Sequence, residues 1–252
     1  MIELTKRPLI VAHRGCSGTF PENTMISFKR AIEIGADMIE LDVQTSKDGK
    51  VIVFHDKELR RTTNGIGKIN NLTYKELQNL DAGSWFAKEF KGEQIPLLRD
   101  VLRLIKGKIK LNIEIKSYGN YVKHNFIVEN TIELVREYKM EEDVLFTSFD
   151  HKLIREYFEF HPDLHVGVLY DRKRHFNKTP SILKKNMNIE AFVLDIRDAK
   201  IKLIESARNC GLIVGVYSID TEISLEKALK LKTDVIVSNF PEHIFRWLGK
   251  LK

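Results

Sequence analysis

Short apolar runs rich in β-branched residues alternate with longer amphipathic stretches along nearly the whole chain. Nine of these runs are typical of strands: Leu9–His13, Met38–Val43, Val51–His55, Lys110–Ile115, Val144–Ser148, His165–Tyr170, Ala191–Ile196, Ile213–Ile219 and Asp234–Ser238. Apolar residues at helical spacing predict helices between most of them: Thr24–Gly35, Phe126–Tyr138, Lys152–Phe160, Lys200–Cys210 and Ser224–Leu231. Repeated βα units with strands this apolar predict a parallel sheet that is buried on both faces.

The connection between the second and third predicted strands is too short for a parallel crossover. It reads Gln-Thr-Ser-Lys-Asp-Gly-Lys, whereas a parallel crossover needs about a dozen residues or more. The pair Asp48-Gly49 is a strong hairpin signal, so Met38–Thr45 and Lys50–His55 are predicted to be antiparallel. This hairpin brings His55 opposite the neighbourhood of Glu40 and Asp42. The other eight strands match the number in an α/β barrel of about 250 residues.

Residues 56 to about 95 interrupt the alternation and contain no obvious strand. The sequence Thr73-Tyr74-Lys75-Glu76 is a capping box that predicts one short helix. We interpret 56–95 as a small insertion over one mouth of the barrel, within a single domain of residues 1–252. Its aromatic residues fit a miniature core better than a wall that touches substrate; they are Trp85, Phe86 and Phe90.

Composition and charge favour an ordinary globular protein without a nucleic-acid partner. The 252 residues are 43% hydrophobic and 30% charged, and 41 basic against 35 acidic residues give a net charge of +6. Charges of both signs alternate along helical stretches such as Lys202 to Arg208, which is typical of a solvated surface. An anionic small-molecule substrate is compatible with this balance.

Cysteine use and hydropathy predict a cytoplasmic location. Cys16 and Cys210 lie far apart and form neither a disulfide framework nor a metal-ligand spacing. Glu3 interrupts the N-terminus before an apolar signal segment can form, and the uncharged run Asn209–Ile219 is shorter than the ~20 residues that cross a bilayer. We therefore expect no export signal and no stable membrane insertion, and the oligomeric state stays open.

Charged side chains occur where predicted buried strands end, and a buried charge is costly unless it is paired or bound to a cation. Glu40 and Asp42 share one face of their strand, and Glu114 and Lys116 have the same spacing on another strand. Inward-facing carboxylates repel unless a positive charge lies between them, and Mg²⁺ and Ca²⁺ take oxygen ligands of this kind. The alternative is a salt bridge between strands, from Lys116 to Glu40 or Asp42.

Two histidines also end predicted strands. His13-Arg14-Gly15 closes the first strand, and His55-Asp56 closes the strand after the hairpin. An arginine followed by a glycine offers a fixed cation and a backbone that can approach closely, which suits a phosphoryl group. Each motif alone is weak evidence, because a histidine at a strand end is often only a hydrogen-bonded polar residue.

Six motifs follow one another in a characteristic order: His13-Arg14-Gly15, Pro21-Glu22-Asn23-Thr24, Glu40-Leu41-Asp42-Val43, Lys47-Asp48-Gly49, His55-Asp56 and Glu114-Ile115-Lys116. In this order and spacing they resemble the glycerophosphodiester phosphodiesterase family. The resemblance spans nearly all of residues 9–241, including Ile95-Pro96-Leu97 and Val235–Pro241. It implies a TIM-type (β/α)8 barrel with a small insertion after the strand that ends at His55.

The resemblance also implies an activity, the metal-dependent hydrolysis of a glycerophosphodiester to sn-glycerol 3-phosphate and an alcohol. Carried over by position, Glu40, Asp42 and Glu114 resemble the family's ligands for one divalent cation, Mg²⁺ or Ca²⁺. The course that the resemblance implies begins when the glycerol 2-hydroxyl attacks phosphorus and the alcohol leaves. Water then opens the cyclic phosphate.

Four further residues acquire roles from the resemblance. His13 and His55 resemble the family's acid/base pair, and Arg14 and Lys116 resemble the residues that hold the phosphate. A histidine pair suits this chemistry, because the imidazole pKa lies near neutral pH. We take His13 as the acid and His55 as the base in the first step, with the reverse assignment open.

The chain departs from the family pattern on its late strand. Many relatives carry a Trp-containing segment where this chain reads Val216-Tyr217-Ser218-Ile219-Asp220. Tyr217 can still present a flat face to glycerol, so Tyr217 and Trp85 are the candidate substrate contacts. Glu22 and Asn23 are alternatives for a contact with the metal or the phosphate, but Glu22 is not assigned as a metal ligand, and Asn23 fits at least as well the N-cap of a helix that begins at Thr24.

Two other functions remain compatible with these motifs. A lysophospholipase D or a phospholipase-C-like enzyme can use the same barrel, but it needs an apolar channel, and no exposed apolar stretch occurs outside the insertion. A catalytically silent member that only binds a phosphorylated ligand would not need an acid/base pair. The preferred alcohol group, the metal and the use of lysolipids as substrates stay open.

Overall fold

Eight parallel strands close into a barrel in the computed structural model of this protein, which describes residues 8–118 and 121–250. The strands are β1 (Leu9–His13), β2 (Met38–Thr45), β3 (Val51–Val53), β4 (Lys110–Ile115), β5 (Val144–Ser148), β6 (His165–Tyr170), β7 (Ala191–Asp195), β8 (Ile213–Tyr217) and β9 (Val235–Ser238). Around the barrel they follow the order β1, β2, β4, β5, β6, β7, β8, β9, and β9 pairs with β1 again. The predicted TIM-type barrel is confirmed. Glu3, which was expected to interrupt any apolar signal segment, lies outside the described residues.

The ninth strand, β3, forms the predicted hairpin with β2 outside the barrel ring. The two strands are antiparallel, with Val43 opposite Val53. Gly49 has φ 76° in the turn between them, a conformation that favours glycine. After β3, the backbone N–H of Phe54 donates to the carbonyl of Asp42 at 2.9 Å. The hairpin therefore delivers His55, the next residue, to the carboxyl end of β2.

Helices lie between most of the strands and after the last strand. They are α1 (Met25–Glu33), α2 (Tyr74–Leu77), α3 (Leu98–Ile105), α4 (Tyr121–Glu137), α5 (His151–Phe158), α6 (Arg172–His175), α7 (Pro180–Asn186), α8 (Ile201–Asn209), α9 (Glu222–Lys230) and α10 (Pro241–Lys250). Four of these helices, α3, α6, α7 and α10, were not predicted from the sequence. No side chain caps the start of α3, so the usual signal for the start of a helix is missing from the sequence. The helix nevertheless buries Leu98, Val101, Leu102 and Ile105.

The core has two regions, as expected for strands that are buried on both faces. Between strands and helices lie large side chains with no exposure, among them Phe28, Phe146 and Phe192. Inside the barrel, Leu145, Leu169, Ala191 and Val193 form a second apolar cluster. The apolar barrel interior forms a floor beneath the charged residues at the carboxyl ends of the strands.

The insertion, residues 56–95, packs directly against β3. Five of its buried apolar side chains, Leu59, Ile69, Leu77, Ala82 and Ile95, form one cluster with Ile52 and Phe54. The predicted capping box is present at α2, where Thr73 and Glu76 hold each other's backbone N–H groups. Because the cluster includes residues of the hairpin, the position of the insertion is tied to the strand that precedes His55. Within residues 8–118 and 121–250, no helix is long and apolar enough to cross a membrane.

Candidate active site

The register of three neighbouring strands brings the predicted site residues together at the carboxyl end of the barrel. His13, the last residue of β1, is paired with Glu40 of β2, which is in turn paired with Asn112 of β4. Two residues further along, Asp42 is paired with Glu114. Since side chains alternate between the two faces of a strand, this spacing of two keeps Glu40 with Asp42 and Asn112 with Glu114 on one face.

Glu40, Asp42 and Glu114 form a buried carboxylate cluster. One oxygen atom of each side chain lies within 4.8 Å of those of the other two. The exposed fractions of these residues are 4%, 0% and 7%. Carboxylate oxygens gathered in this way are the ligands that Mg²⁺ and Ca²⁺ prefer, so the donor set fits a divalent cation.

Two cationic side chains border the cluster. Nζ of Lys116 is 2.8 Å from Oδ1 of Asp42 and also pairs with Oε1 of Glu114. Nε of Arg14 is 3.2 Å from Oδ2 of Asp42. Lys116 therefore forms the alternative salt bridge to Asp42, and the second carboxylate that Lys116 contacts is Glu114 rather than Glu40. Three carboxylates against these two cations leave an excess of negative charge, which a divalent ion would offset.

The uneven charge balance shifts the pKa values within the cluster. Burial, followed by the charges of Asp42 and Glu114, holds the pKa of Glu40 well above its usual range. Burial alone would also raise the pKa of Asp42, but Lys116 and Arg14 outweigh burial and lower that pKa below its usual range. Asp42 is thus the firmly paired carboxylate, and the charge of Glu40 is poorly balanced.

A tight turn after β1 places Arg14 against the cluster. Arg14 and Gly15 have φ of 54° and 80°, and a Cβ atom on Gly15 would lie 2.4 Å from Oγ of Ser27. Only glycine fits this position. The turn directs the backbone N–H of Arg14 to Oε2 of Glu40 at 2.9 Å, while its guanidinium NH1 donates to Oε1 of Glu22 at 2.8 Å.

The imidazole of His13 faces the cluster from the end of β1. Its Nδ1 lies 2.7 Å from Oδ1 of Asn239, and its Nε2 lies 3.8 Å from Oε2 of Glu40. Burial, followed by the nearby charge of Arg14, lowers the pKa of His13 from 6.5 to about 4. In the protein without a bound metal or substrate, His13 is therefore a neutral imidazole at neutral pH.

His55 reaches the same region from the end of the hairpin. Its Nδ1 lies 2.6 Å from Oδ1 of Asp56, so a carboxylate acceptor holds the far side of the ring. Burial lowers the pKa of His55, and the cation of Lys116 adds to this effect, while the charge of Asp42 opposes it. Both predicted catalytic histidines thus have Nδ1 engaged, and the predicted proton transfers would use Nε2 of each ring.

A cavity of about 300 Å³ opens beside these groups. Its polar lining includes six predicted residues, together with Asn112, which was not predicted. The six are His13, Arg14, Glu40, His55, Glu114 and Lys116. The lining also includes the apolar residues Phe149, Leu169, Val193 and Val237, the polar residues Asp195, Arg197 and Ser218, and the predicted Tyr217. The structure therefore brings the acid/base candidates, the cations and Tyr217 to one cavity.

The aromatic residues of the insertion lie elsewhere. Trp85 is 37% exposed, packs against Phe86 with ring centroids 5.6 Å apart, and donates its indole N–H to the carbonyl of Ala82 at 2.8 Å. Phe86 contacts Phe90, which in turn contacts Phe20 of the loop after β1. Trp85 is not among the cavity-lining residues in the described part of the chain, so a contact with substrate stays a prediction.

Asn112 and Asn239 were not predicted as site residues, and Asn23 does not have the N-cap role that its sequence position allows. Asn23 is not the N-cap of α1, because Thr24 caps that helix by accepting a bond from the N–H of Ser27. Asn23 instead has φ 56° and donates its side-chain N–H to Oδ2 of Asp42 at 2.8 Å. Asn112 and Asn239 could have been found from sequence, since Asn112 shares the face of Glu114 and Asn239 follows β9 directly.

Comparisons with known proteins agree with this geometry. A sequence model of the Glycerophosphoryl diester phosphodiesterase family matches residues 13–243. A glycerophosphodiester phosphodiesterase of Caldanaerobacter subterraneus subsp. tengcongensis is 37% identical over 245 residues, 97% of this chain and 99% of that protein.

Solved structures with similar folds cover nearly the whole chain. A phosphodiesterase of Oleispira antarctica in complex with the product sn-glycerol-3-phosphate is 26% identical, with a TM-score of 0.85 over 96% of this chain and 97% of that chain. A glycerophosphodiester phosphodiesterase of Agrobacterium tumefaciens is 29% identical, with a TM-score of 0.80 over 93% and 97%.

Proposed function

This chain belongs to the glycerophosphoryl diester phosphodiesterase family, and we propose that it hydrolyses glycerophosphodiesters to sn-glycerol 3-phosphate and an alcohol. The observation that carries the proposal is the presence of His13 and His55 at one cavity, each with Nδ1 held by an acceptor. A protein that only binds a phosphorylated ligand would not need two imidazoles in this arrangement.

The carboxylate cluster gives the proposed enzyme a place for a divalent cation. Glu40, Asp42 and Glu114 would hold the ion, and either Mg²⁺ or Ca²⁺ suits their oxygen atoms. When bound, the ion would act as a Lewis acid toward a phosphoryl oxygen. The excess negative charge of the cluster over Arg14 and Lys116 supports this assignment.

The protein's own cations orient the diester. Arg14 and Lys116 line the cavity, and a guanidinium and an ammonium group together can neutralise the phosphodiester charge. Tyr217 lines the cavity and contacts Phe149, and its ring can cover the carbon atoms of glycerol. The proton transfers require the phosphate to lie between the two histidines.

The proton transfers follow from the two imidazoles. In the first step the glycerol 2-hydroxyl oxygen attacks phosphorus as the bond from phosphorus to the alcohol oxygen breaks. One imidazole takes the hydroxyl proton at Nε2, and the other gives a proton from Nε2 to the leaving oxygen. Water then opens the cyclic phosphate with the two roles exchanged, which restores both rings. The choice of His13 as the first acid stays a prediction, and it requires that Nε2 of His13 gains a proton when substrate binds, because Nε2 is the free base in the protein without substrate.

The substrate class is tested with purified protein and glycerophosphocholine. We expect release of glycerol 3-phosphate, its loss in EDTA, and its recovery when Mg²⁺ or Ca²⁺ is added back. His13→Ala and His55→Ala should each lower kcat/KM by about 10²- to 10⁴-fold, the range for loss of a general acid or base. In the double variant, the fold decrease in kcat/KM should be much smaller than the product of the two single fold decreases, because the pair acts as one unit.

Other outcomes of this assay point to the alternatives. No release of glycerol 3-phosphate with any metal would contradict the proposal and favour a binding protein. Faster hydrolysis of lysophosphatidylcholine than of glycerophosphocholine would favour a lysophospholipase D. The cavity of about 300 Å³ is at the small end for ligand sites and supports the smaller diester.

A cytoplasmic location also stays a prediction, which cell fractionation tests.

A further inference from the structure

Arg61, a residue of the insertion, is held between two carboxylates at the edge of the site. Its NH1 and NH2 atoms donate to the two carboxylate oxygens of Glu22, both at 2.7 Å. Its Nε and NH2 atoms donate to the two oxygens of Asp56, at 2.5 and 3.1 Å. A guanidinium group has five N–H bonds in a planar fork, and four of them are used here. Arg61 is therefore engaged with the protein itself, which leaves little capacity to bind a substrate phosphate.

Each of these carboxylates also contacts a residue of the cavity. Oε1 of Glu22 accepts a hydrogen bond from NH1 of Arg14 at 2.8 Å. Oδ1 of Asp56 lies 2.6 Å from Nδ1 of His55. A continuous chain of ion pairs thus runs from Arg14 through Glu22, Arg61 and Asp56 to His55. It joins the loop after β1, the insertion and the end of the hairpin.

We propose that Arg61 is a positioning residue that fixes Arg14 and His55 in the same site through Glu22 and Asp56. Because Arg61 shares the negative charge of Glu22, Arg14 keeps part of its positive charge for the substrate phosphate. Because it fixes both oxygens of Asp56, the ring of His55 is held in one orientation. This inference rests on the proposed phosphodiester hydrolysis, and it gives the insertion a part in the chemistry that the sequence analysis did not expect.

The shape of the guanidinium group is essential to this role. A lysine at position 61 would keep the positive charge, but a single ammonium group cannot form two-point contacts with two carboxylates at once. Arg61→Lys therefore removes the orienting contacts while it preserves the net charge. Arg60, the neighbouring residue, is exposed, and Arg60→Lys is the matched control.

Steady-state kinetics with glycerophosphocholine tests the contact of Glu22 with Arg14 and the contact of Asp56 with His55 separately. Glu22→Gln should raise KM by about 10-fold with a smaller effect on kcat, because Arg14 contacts the phosphate. Asp56→Asn should lower kcat by about 10- to 100-fold with a smaller effect on KM, since His55 transfers a proton. Arg61→Lys should change both KM and kcat in these directions, and Arg60→Lys should change neither. In the variant that carries both Arg61→Lys and Asp56→Asn, the fold decrease in kcat should be smaller than the product of the two single fold decreases.

A second readout does not depend on turnover. When the fork of Arg61 is lost, the charge of Asp56 is less well balanced and favours the protonated ring of His55 more strongly. An NMR titration of His55 should therefore give a pKa that is higher by about one unit in Arg61→Lys than in the unaltered protein. This measurement tests Arg61 even if the unaltered protein fails to hydrolyse glycerophosphocholine, so the two proposals can fail separately.

Three results would overturn the role of Arg61. The first is an Arg61→Lys variant whose kcat and KM stay within about twofold of the unaltered protein. The second is a variant that loses thermal stability but keeps both constants at temperatures well below its Tm, which would make Arg61 an anchor for the insertion alone. The third is a His55 titration that is the same in both proteins.

Discussion

The side-chain amide of Asn239 presents its oxygen to Nδ1 of His13 at 2.7 Å, and Asp220 fixes this orientation. Nδ2 of Asn239 donates to Oδ2 of Asp220 at 2.7 Å, and the backbone N–H of Asn239 donates to Oδ1 at 2.8 Å. An ionised carboxylate only accepts hydrogen bonds, so the amide nitrogen must face Asp220 and the amide oxygen must face His13. Nδ1 of neutral His13 therefore carries the hydrogen, and Nε2 is the free base.

Asp220→Asn is expected to disturb the tautomer of His13. An asparagine at position 220 can accept or donate, so the amide of Asn239 is free to turn its nitrogen toward His13. We expect kcat for glycerophosphocholine to fall by about 10- to 100-fold, as when other outer partners of functional histidines are lost, with KM changed less. Imidazole ¹⁵N shifts of His13 should show a mixture of tautomers. Asp100→Asn, at the surface of α3, is the control, and an unchanged tautomer in Asp220→Asn would contradict the prediction.

The three clustered carboxylates should affect stability differently when no metal is bound. Asp42 pairs with both Lys116 and Arg14, so Asp42→Asn should lower the free energy of unfolding by about 3 kcal/mol, as for a broken buried ion pair. Glu40 is the poorly balanced carboxylate, so Glu40→Gln should leave this stability unchanged or raise it. Urea denaturation in EDTA at pH 7 measures both.

The same two variants separate stability from activity. Both should lose most hydrolysis of glycerophosphocholine, because each removes a proposed ligand of the metal. If Glu40→Gln were as destabilising as Asp42→Asn, the charge balance that we derive from the ion pairs would be wrong.

Tyr217 and Trp85 should differ in their effect on substrate preference. Tyr217 lines the cavity, so Tyr217→Ala should shift the ratio of kcat/KM between glycerophosphocholine and glycerophosphoethanolamine or glycerophosphoglycerol, by up to the ~1–3 kcal/mol typical of pocket contacts. Trp85 packs on Phe86 within the insertion, so Trp85→Ala should mainly lower Tm. A changed substrate ranking in Trp85→Ala with no change in Tyr217→Ala would show that the insertion contacts the alcohol.

Stability should fall in acid because of a buried histidine pair outside the site. His151 stacks on His175 with ring centroids 3.9 Å apart, and burial lowers the pKa of His151 from 6.5 to about 4. The unfolded chain then binds a proton more readily than the folded one below pH 6.5. The contribution of His151 to stability is therefore complete above pH 6.5 and is lost as the pH falls toward 4.

Between pH 7.5 and 5.0 this effect amounts to about 2 kcal/mol. Urea denaturation at the two pH values should show a smaller acid loss in His151→Gln than in the unaltered protein. His243→Gln, in α10, should show the same acid loss as the unaltered protein. Equal losses in all three proteins would mean that other groups cause the acid sensitivity.

Local patterns in the sequence were sufficient to predict the barrel and the centre of the site. Alternation of apolar runs predicted every strand in the described residues. Four of the nine runs have the bounds of the structure, and the others differ by up to two residues at an end. The pair Asp48-Gly49 predicted the hairpin that carries His55. Glu40 and Asp42 could be placed on one face because side chains alternate along any strand, whatever that strand packs against.

Contacts between residues far apart in the chain were decided only by the tertiary structure. His13 and Asn239 are 226 positions apart, and they meet because β9 closes the barrel onto β1. Glu22 and Arg61 are 39 positions apart, and they meet because the insertion packs on β3. Periodicity specifies which face of a strand a side chain occupies, but not the register between strands or the path of a loop. Those depend on the closure of the whole barrel and on the packing of the insertion, which no local segment encodes.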